Sequence, residues 1–285
     1  MSGAAGAAPR PLLQVEDLRV SFRTRTGVVA AVRGISFSLG RERLGIVGES
    51  GSGKTMTGRA VLRLIRPPGR VEARRIALDG MDLLALSERR MRAVRGERIA
   101  MVMQDPKFSL NPVMRIGRQL VEALQVHSKV SRSEARSRAL KMLEAVQIRD
   151  PERVFRAYAN ELSGGMGQRV MIAMMLIPGP DLLIADEPTS ALDVTVRAQV
   201  LGIMDALVRE RGMGLILISH DLNLVATFCD RVLVMYAGRI VEELDAGRLS
   251  EARHPYTRGL LNCLPRIGGG KAPLPVLDRE AAWSA

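Results

Sequence analysis

The fold is decided by the stretch LGIVGESGSGKT at residues 44–55. Its first part, Leu44–Val47, is a short continuous apolar run, which is typical of a strand buried on both faces. The rest matches the pattern GxxxxGK[ST], in which glycines let backbone N–H groups turn inward around phosphates, the lysine reaches the β- and γ-phosphates and the final hydroxyl ligates Mg²⁺. The sequence therefore predicts a nucleotide site. The candidate binding residues are Gly48, Glu49, Ser50, Gly51, Ser52, Gly53, Lys54 and Thr55.

The composition fits a folded α/β protein and argues against a disordered chain, a disulfide-rich protein and a membrane-spanning protein. With 285 residues, 47% of them apolar, the chain is long enough for one large α/β domain or two smaller ones. Two distant cysteines, Cys229 and Cys263, cannot form a disulfide framework or a four-ligand zinc site, which favours a reducing compartment. We expect no signal peptide, and the most apolar region, Val170–Ala185, is too short and interrupted to span a bilayer.

The net charge of +12 could indicate a nucleic-acid or anionic-membrane partner. The arginines are scattered, however, and only 3% of residues are the aromatics that would stack on bases. We therefore interpret the charge as a solvated arginine-rich surface and expect no nucleic-acid partner.

Apolar patterns elsewhere predict further strands. Leu12–Leu39 alternates apolar and polar residues in two pieces, which indicates antiparallel strands around a turn near Thr26 and Gly27. Three more continuous apolar runs have the pattern of buried strands. They are Ile99–Met103, Leu182–Ala185 and Leu215–Ile218.

Helical patterns lie between these strands. One follows a capping box of Ser131 with Glu134, and another has an apolar stripe at Val196, Val200, Ile203 and Leu207. Because buried strands alternate with helices, we expect a mostly parallel sheet with helices on its faces.

The same patterns divide the chain into segments. We expect a main domain at residues 12–262, with an inserted helical subdomain at about 105–170. Residues 1–11 form a small, proline-punctuated leader, and residues 263–285 form a short tail.

Polar residues follow the ends of the predicted buried strands. Asp186 and Glu187 follow one, Gln104 follows another, and His220 follows a third. Ligands of open α/β sheets bind at this edge, so these side chains should meet beside the phosphate loop. Asp186 would hold Mg²⁺, Glu187 would polarise an attacking water, Gln104 would sense Mg²⁺ or the water, and His220 would contact the γ-phosphate.

A second candidate anion site lies in LSGGMGQR, residues 162–169, just before a helical apolar run. Ser163, Gly164 and Gly165 would offer a hydroxyl and backbone N–H groups at a helix N-terminus. If two copies pair head to tail, Ser163 of one would face the γ-phosphate held by Lys54 of the other. Taken alone, the same residues could form a glycine-rich helix cap.

In this order the motifs resemble the ATP-binding subunit of an ATP-binding cassette (ABC) transporter, over roughly residues 12–260. The resemblance implies a P-loop NTPase core with a mostly parallel sheet, an N-terminal antiparallel β subdomain and an inserted helical subdomain. It makes Gly48–Thr55 the Walker A motif, Gln104 the Q-loop, residues 162–168 the signature and residues 182–187 Walker B. Residues 190–193, ending in Asp193, match the D-loop, and His220 matches the switch histidine.

At two positions this chain differs from the residue that is usual in the family. Phe22 is the candidate aromatic that stacks on adenine, where the family often has Tyr. Gly167 replaces the Arg or Lys that is more usual in the signature, and we expect activity to survive because this position should not touch phosphate.

Finer resemblance to the oligopeptide, dipeptide and nickel importer group comes from GIVGESGSGKT, QDPKFSLNP, DVTVRAQVL and HPYTRGLL. In that group the tail after HPYT usually continues into a Cys-rich extension. Only Cys263 lies there in this chain, so an iron–sulfur cluster is not expected. Taken alone, HPYT at 254–257 would be a solvated turn without a catalytic role.

The resemblance implies an ATPase that uses ATP and Mg²⁺ to energise import of a small solute, di- or oligopeptides first and nickel or another solute as the alternative. Its partners would be two transmembrane permease subunits, a second ABC ATPase subunit and, indirectly, an extracytoplasmic solute-binding protein. The chain would lie on the cytoplasmic face of the inner membrane. A cassette acting on DNA or ribosomes and a nucleotide-binding structural protein without turnover are the rival functions.

Overall fold

The structure, a computed structural model, describes residues 10–103, 110–189 and 194–263. The strands in these residues are β1 (Leu13–Thr24), β2 (Gly27–Leu39), β3 (Arg43–Val47), β4 (Gly69–Glu72), β5 (Arg75–Leu78), β6 (Met81–Asp82), β7 (Ile99–Val102), β8 (Leu182–Asp186), β9 (Gly214–Ser219), β10 (Arg231–Tyr236) and β11 (Arg239–Asp245). The helices are α1 (Lys54–Val61), α2 (Glu88–Glu97), α3 (Ile116–Gln125), α4 (Arg132–Ala145), α5 (Pro151–Arg156), α6 (Gly164–Leu176), α7 (Val194–Arg211), α8 (Leu222–Phe228) and α9 (Pro255–Asn262).

The main sheet has the strand order β11-β10-β3-β9-β8-β7. All neighbouring strands in it are parallel except β10 and β11, which form an antiparallel pair. The four buried strands predicted from continuous apolar runs are β3, β7, β8 and β9, so the expected parallel sheet is confirmed. The sequence patterns did not predict β10 and β11.

Alternate residues of each central strand enter separate cores on the two faces of the sheet. On β8, Leu182 and Ile184 pack with the N-terminal strands and α1, whereas Leu183 and Ala185 pack with α6 and α7. Every residue of β8 is buried. A strand with apolar side chains on both faces therefore reads as a continuous apolar run.

The second sheet is antiparallel and has the order β2-β1-β5-β6, with β4 also paired to β1. β1 and β2 form a hairpin that closes at the Thr24–Gly27 pair, as the alternating pattern predicted. Core-facing residues of this hairpin, such as Val20 and Val32, pack in the same core as Ala60 and Val61 of α1. The hairpin therefore lies against the helix that follows the phosphate loop.

Helices α3, α4 and α5 occupy the chain between β7 and α6. Ser131 caps α4 as predicted, accepting a hydrogen bond of 3.1 Å from the backbone N–H of Glu134. The Glu134 carboxylate pairs with Arg138 one turn along. The predicted stripe of α7 is buried at Val200, Ile203 and Leu207.

Several predictions lie outside the described residues. They concern Gln104, the D-loop with Asp193, nearly all of the leader and nearly all of the tail. Within residues 10–103, 110–189 and 194–263, none of the helices combines the length and apolar character needed to cross a membrane.

Candidate functional site

The loop at residues 48–55 leaves β3 and enters α1 along a backbone that glycine alone fits at two points. Gly48 has φ of +148°, and a Cβ there would lie 2.1 Å from the carbonyl oxygen of Met235. Gly53 is the N-cap of α1 with φ of +102°, and a Cβ there would lie 2.4 Å from the carbonyl oxygen of Ala31. The loop is thus wedged between two strands, and the positive end of α1 opens onto it.

Lys54, the first residue of α1, folds back over the loop. Its side chain is buried, and Nζ donates hydrogen bonds of 2.7 and 2.8 Å to the carbonyl oxygens of Gly48 and Glu49. Burial lowers the pKa of this ammonium group, although the carboxylates of Glu187, Asp186 and Glu49 oppose that effect. A phosphate at the loop would stabilise the same buried charge, so the residues fit an anionic ligand.

Thr55 and Asp186 bring a hydroxyl and a carboxylate together beside Lys54. Thr55 Oγ1 donates a hydrogen bond of 3.0 Å to Asp186 Oδ1. Burial raises the pKa of Asp186, while the Thr55 hydrogen bond and the positive charges of Arg59 and Lys54 oppose the rise. Hydroxyl and carboxylate oxygens are the donors that Mg²⁺ prefers, so this pair fits a magnesium ion.

Glu187 follows β8 with an uncommon positive φ of 46°. Its backbone N–H donates to the carbonyl oxygen of Ile218 at 2.9 Å, and its carboxylate Oε1 lies 3.1 Å from His220 Nδ1. The Glu187 side chain is 19% exposed and that of His220 is 63% exposed. The Glu187 carboxylate is therefore held at the mouth of the site, between buried Asp186 and exposed His220.

Strand register explains why distant residues meet here. Val47, the last residue of β3, pairs with Ser219, and Asp186 pairs with Ile218. The carboxyl ends of three adjacent strands are therefore level, and the residues that follow them share one edge of the sheet. The prediction that Lys54, Asp186, Glu187 and His220 converge is consistent with this geometry, although their catalytic roles stay a prediction.

The second predicted anion site is separate from the loop in this single chain. Ser163 caps α6, accepting a hydrogen bond of 3.4 Å from the backbone N–H of Met166. A groove of about 850 Å³ borders this cap, and none of the loop residues 48–55 lines it. Its lining includes Ser163, Gly164, Gly165 and three arginines, Arg149, Arg153 and Arg169.

Three comparisons place this geometry among known proteins. A family model described as ABC transporter matches residues 32–190. The chain belongs to the ABC transporter family. The family match, the curated relatives and the solved cassette structures together confirm the expected resemblance to ABC transporter ATP-binding subunits, the cassette fold and the ATPase class.

Curated members of the ABC family are similar over most of this chain. A probable peptide ABC transporter ATP-binding protein of Sinorhizobium fredii is 50% identical over 93% of this chain and 80% of the relative. The oligopeptide transport ATP-binding protein OppD of Bacillus subtilis is 49% identical over 90% of this chain and 72% of the relative. Among solved structures, a dimeric post-hydrolysis state of the ATP-binding cassette MJ0796, bound to ADP and Pi, has a TM-score of 0.74 at 25% identity. That match covers 82% of this chain and 98% of the cassette.

Two glycines of α6, Gly165 and Gly167, differ in how closely other residues approach them. Gly167 is buried, and within residues 10–103, 110–189 and 194–263 a Cβ there would meet no atom within 4 Å. At Gly165, by contrast, a Cβ would lie 2.8 Å from Cγ1 of Val196 on α7. The close approach of α6 and α7 therefore depends on Gly165.

Phe22, the proposed adenine platform of this ABC subunit, lies on β1 between Val29 of β2 and Gly69 of β4. Its ring packs against Gly69, where a Cβ would lie 2.7 Å from Cε1. The ring is half-buried, and Val29 beside it is 54% exposed. An apolar surface is thus available for a base, and stacking by Phe22 stays a prediction.

Two buried polar residues at the ABC site were missed by the sequence reasoning. Gln168 of the signature donates from Nε2 to the carbonyl oxygen of Pro188, which joins α6 to the residue after Glu187. Tyr256 is fully buried and contacts the phosphate loop, so the interpretation of HPYT as a solvated turn is wrong. The sequence signal for Tyr256 was an aromatic residue directly after Pro255, which begins α9. Its role becomes visible only from its tertiary contacts.

Proposed function

We propose that this chain hydrolyses ATP to energise import of di- and oligopeptides through partner permease subunits. The observation that carries the proposal is the similarity to peptide transport ATP-binding proteins, at about half of all residues and across most of both chains. The convergence of Lys54, Thr55, Asp186, Glu187 and His220 supports it. We assign the cassette to residues 12–262, with the helices at about 105–170 inserted in it.

The phosphate loop would hold the triphosphate. Backbone N–H groups of Gly48–Thr55, apart from that of Glu49, which donates to the Tyr256 hydroxyl, would face the phosphates together with the start of α1. Lys54 would exchange its loop carbonyl partners for the β- and γ-phosphate oxygens. Thr55 and Asp186, with Gln104, would hold Mg²⁺, which neutralises phosphate charge when bound. Phe22 would stack on adenine.

Glu187 is positioned to orient and polarise the attacking water. Its carboxylate lies beside Asp186 but is more exposed, so a water molecule can reach it from the mouth of the site. His220, within hydrogen-bond distance of Glu187, would contact the γ-phosphate and fix the direction of the carboxylate. Lys54 stabilises the charge that develops on the transferred group.

The complete site needs a second cassette. Ser163, Gly164, Gly165 and Asp193 would bind the nucleotide held by the loop of the other copy, which accounts for the separation of the signature from the loop within one chain. The similar cassette MJ0796 is a dimer in the structure bound to ADP and Pi. The partner would be an identical or a paralogous cassette.

ATP binding would close the two composite sites, and hydrolysis would reopen them. Two permease subunits would receive this motion through the inserted helices, and an extracytoplasmic solute-binding protein would deliver the peptide. The chain would then sit peripherally at the cytoplasmic face of the inner membrane. We propose that the chain has no nucleic-acid partner.

Reconstitution tests this function. The tagged chain is purified from solubilised membranes with its co-purifying subunits, which are identified and placed in liposomes that contain ATP. The extracytoplasmic solute-binding protein is added outside the liposomes. Uptake of a labelled tripeptide with the wild type, and its loss with Glu187→Gln, is the expected result. Uptake of Ni²⁺ in place of peptide would overturn the peptide assignment, and recovery of ribosomes or nucleic acid without permeases would overturn transport.

A further inference from the structure

A tyrosine of α9, the last helix of the described residues, contacts the phosphate loop. Tyr256, the second residue of α9, is fully buried, and its ring centroid lies 4.5 Å from that of Tyr236 at the end of β10. Its hydroxyl oxygen accepts a hydrogen bond of 3.0 Å from the backbone N–H of Glu49. A residue more than 200 positions away in sequence therefore contacts the second residue of the loop.

This contact is one of two hydrogen bonds that hold the peptide unit between Gly48 and Glu49. The carbonyl oxygen of Gly48 accepts from Lys54 Nζ at 2.7 Å, and the N–H of Glu49, at the other end of the same peptide unit, donates to Tyr256. Without nucleotide, rotation of that peptide plane would break both hydrogen bonds. When Lys54 moves to the phosphates, the bond to Tyr256 would remain to hold the peptide. The loop binds phosphates through backbone N–H groups of fixed direction. The orientation of this peptide unit therefore affects the phosphate-binding geometry of the loop.

Tyr256 is itself held in place from the main sheet. The carboxylate of Glu242 on β11 accepts hydrogen bonds of 2.6 and 3.2 Å from the backbone N–H groups of Arg253 and His254. His254 caps α9, and its Nδ1 accepts from the N–H of Tyr256 at 3.2 Å. The start of α9 is thus fixed, so the hydroxyl of Tyr256 is a preorganised acceptor for the loop.

We propose that Tyr256 is a positioning residue that keeps the phosphate loop in its nucleotide-binding geometry and couples α9 to nucleotide occupancy. It acts through the backbone of Glu49 and not by touching nucleotide. The inference rests on the proposed function only in assuming that the loop binds nucleotide. If the hydroxyl had a purely structural role, its loss would lower stability and leave nucleotide affinity unchanged.

The first test removes one hydroxyl. Tyr256→Phe is compared with Tyr158→Phe, which makes the same chemical change at a half-exposed tyrosine beside Arg115. ADP is the probe, because it fills the loop without the γ-phosphate that would join two cassettes. We expect an ADP Kd about threefold to tenfold higher for Tyr256→Phe, the worth of one hydrogen bond, and an unchanged Kd for Tyr158→Phe.

The possible results distinguish the positioning role of Tyr256 from the proposed function of the chain. An unchanged ADP Kd for Tyr256→Phe, with or without a lower Tm, would show a structural role and overturn the inference while leaving the function intact. Failure of the wild-type chain to bind ADP would overturn the proposed function itself.

The second test uses the reciprocity of coupling. If α9 stabilises the binding geometry of the loop, ADP must stabilise the attachment of α9 by the same factor. In the wild type we expect ADP to slow amide hydrogen exchange in α9 as well as in the loop. In Tyr256→Phe the loop should still be protected by saturating ADP and α9 should not. Equal ADP-dependent protection of α9 in both proteins would contradict the coupling.

Discussion

The hydroxyl of Thr55 and the carboxylate of Asp186 are joined by a hydrogen bond of 3.0 Å, which ties the first turn of α1 to the last residue of β8. The carboxylate lies in a buried position where desolvation raises its pKa. A carboxylate in a poorly solvated position lowers the stability of the protein without its ligand. Binding of a cation restores that stability.

Replacement of Asp186 by Asn should separate these two effects. Because the folded-state pKa of Asp186 is raised above its ordinary value of 3.8, its contribution to stability is present below that value and is lost as the pH rises through the folded pKa. Asp186→Asn cannot ionise, so we expect the nucleotide-free variant to be at least as stable as the wild type at pH 7. Mg²⁺-dependent ATP affinity should fall about tenfold or more.

Urea unfolding without nucleotide, at pH 5 and pH 8, and ATP titration with and without Mg²⁺ measure both quantities. A variant that is clearly less stable at pH 8, or that keeps the Mg²⁺ dependence of the wild type, would contradict this account of Asp186.

Replacement of Glu187 by Gln tests its assignment as the group that polarises water. The amide keeps the size of the side chain and its capacity to bond His220, but it does not attract a proton from water. We expect turnover to fall about a hundredfold or more, with ATP affinity within about threefold of the wild type. Light scattering with ATP should show a trapped dimer, and an unchanged turnover rate would remove Glu187 from its assigned role.

Much of this architecture could be predicted because burial leaves a local pattern. The central strands are apolar on both faces, as Leu182–Ala185 shows, and the loop glycines are fixed by backbone geometry. The strand β11 was missed because its residues are exposed or half-buried and carry no such pattern. β10 has a fully buried apolar run at Val232–Met235 that could have been recognised.

Contacts between residues that are distant in sequence could not be predicted from local patterns. Nothing in the pattern of HPYT shows that Tyr256 reaches Glu49, because the contact depends on the packing of Tyr256 against Tyr236 and on the hydrogen bonds from the start of α9 to Glu242. The bond between Gln168 and the backbone of Pro188 is equally non-local. Such residues are polar in sequence and buried in the fold, so periodicity cannot find them.

Replacement of Ser163 by Arg tests the composite site. Ser163 caps α6 and borders a groove that none of the residues of its own phosphate loop lines. Ser163→Ala removes the hydroxyl, and with it both the cap, at a cost of about 1 kcal/mol of stability, and the proposed contact with the partner's nucleotide. Ser163→Arg also places a bulky cation where the second cassette would present its nucleotide.

We expect Ser163→Arg to abolish hydrolysis while ADP binding to the single chain stays within about twofold of the wild type, since the loop is untouched. Ser163→Ala, as the matched control for the lost cap, should retain more activity than Ser163→Arg. Full ATPase activity of Ser163→Arg would rule out the role of Ser163 in the partner's site.

Two glycines of α6 give a matched pair for the packing of the signature helix. A Cβ at buried Gly167 meets no atom of the described residues within 4 Å, whereas a Cβ at Gly165 lies 2.8 Å from Cγ1 of Val196, a branched side chain with little freedom to move. Alanine favours a helix over glycine by about 0.5–1 kcal/mol, so Gly167→Ala should raise the free energy of unfolding by that amount. Gly165→Ala gains the same propensity but must push α6 and α7 apart, an overpacking cost of about 1–3 kcal/mol. Chemical denaturation of both variants decides the matter: if Gly165→Ala were stabilised as much as Gly167→Ala, the close approach at Val196 would not constrain the signature helix.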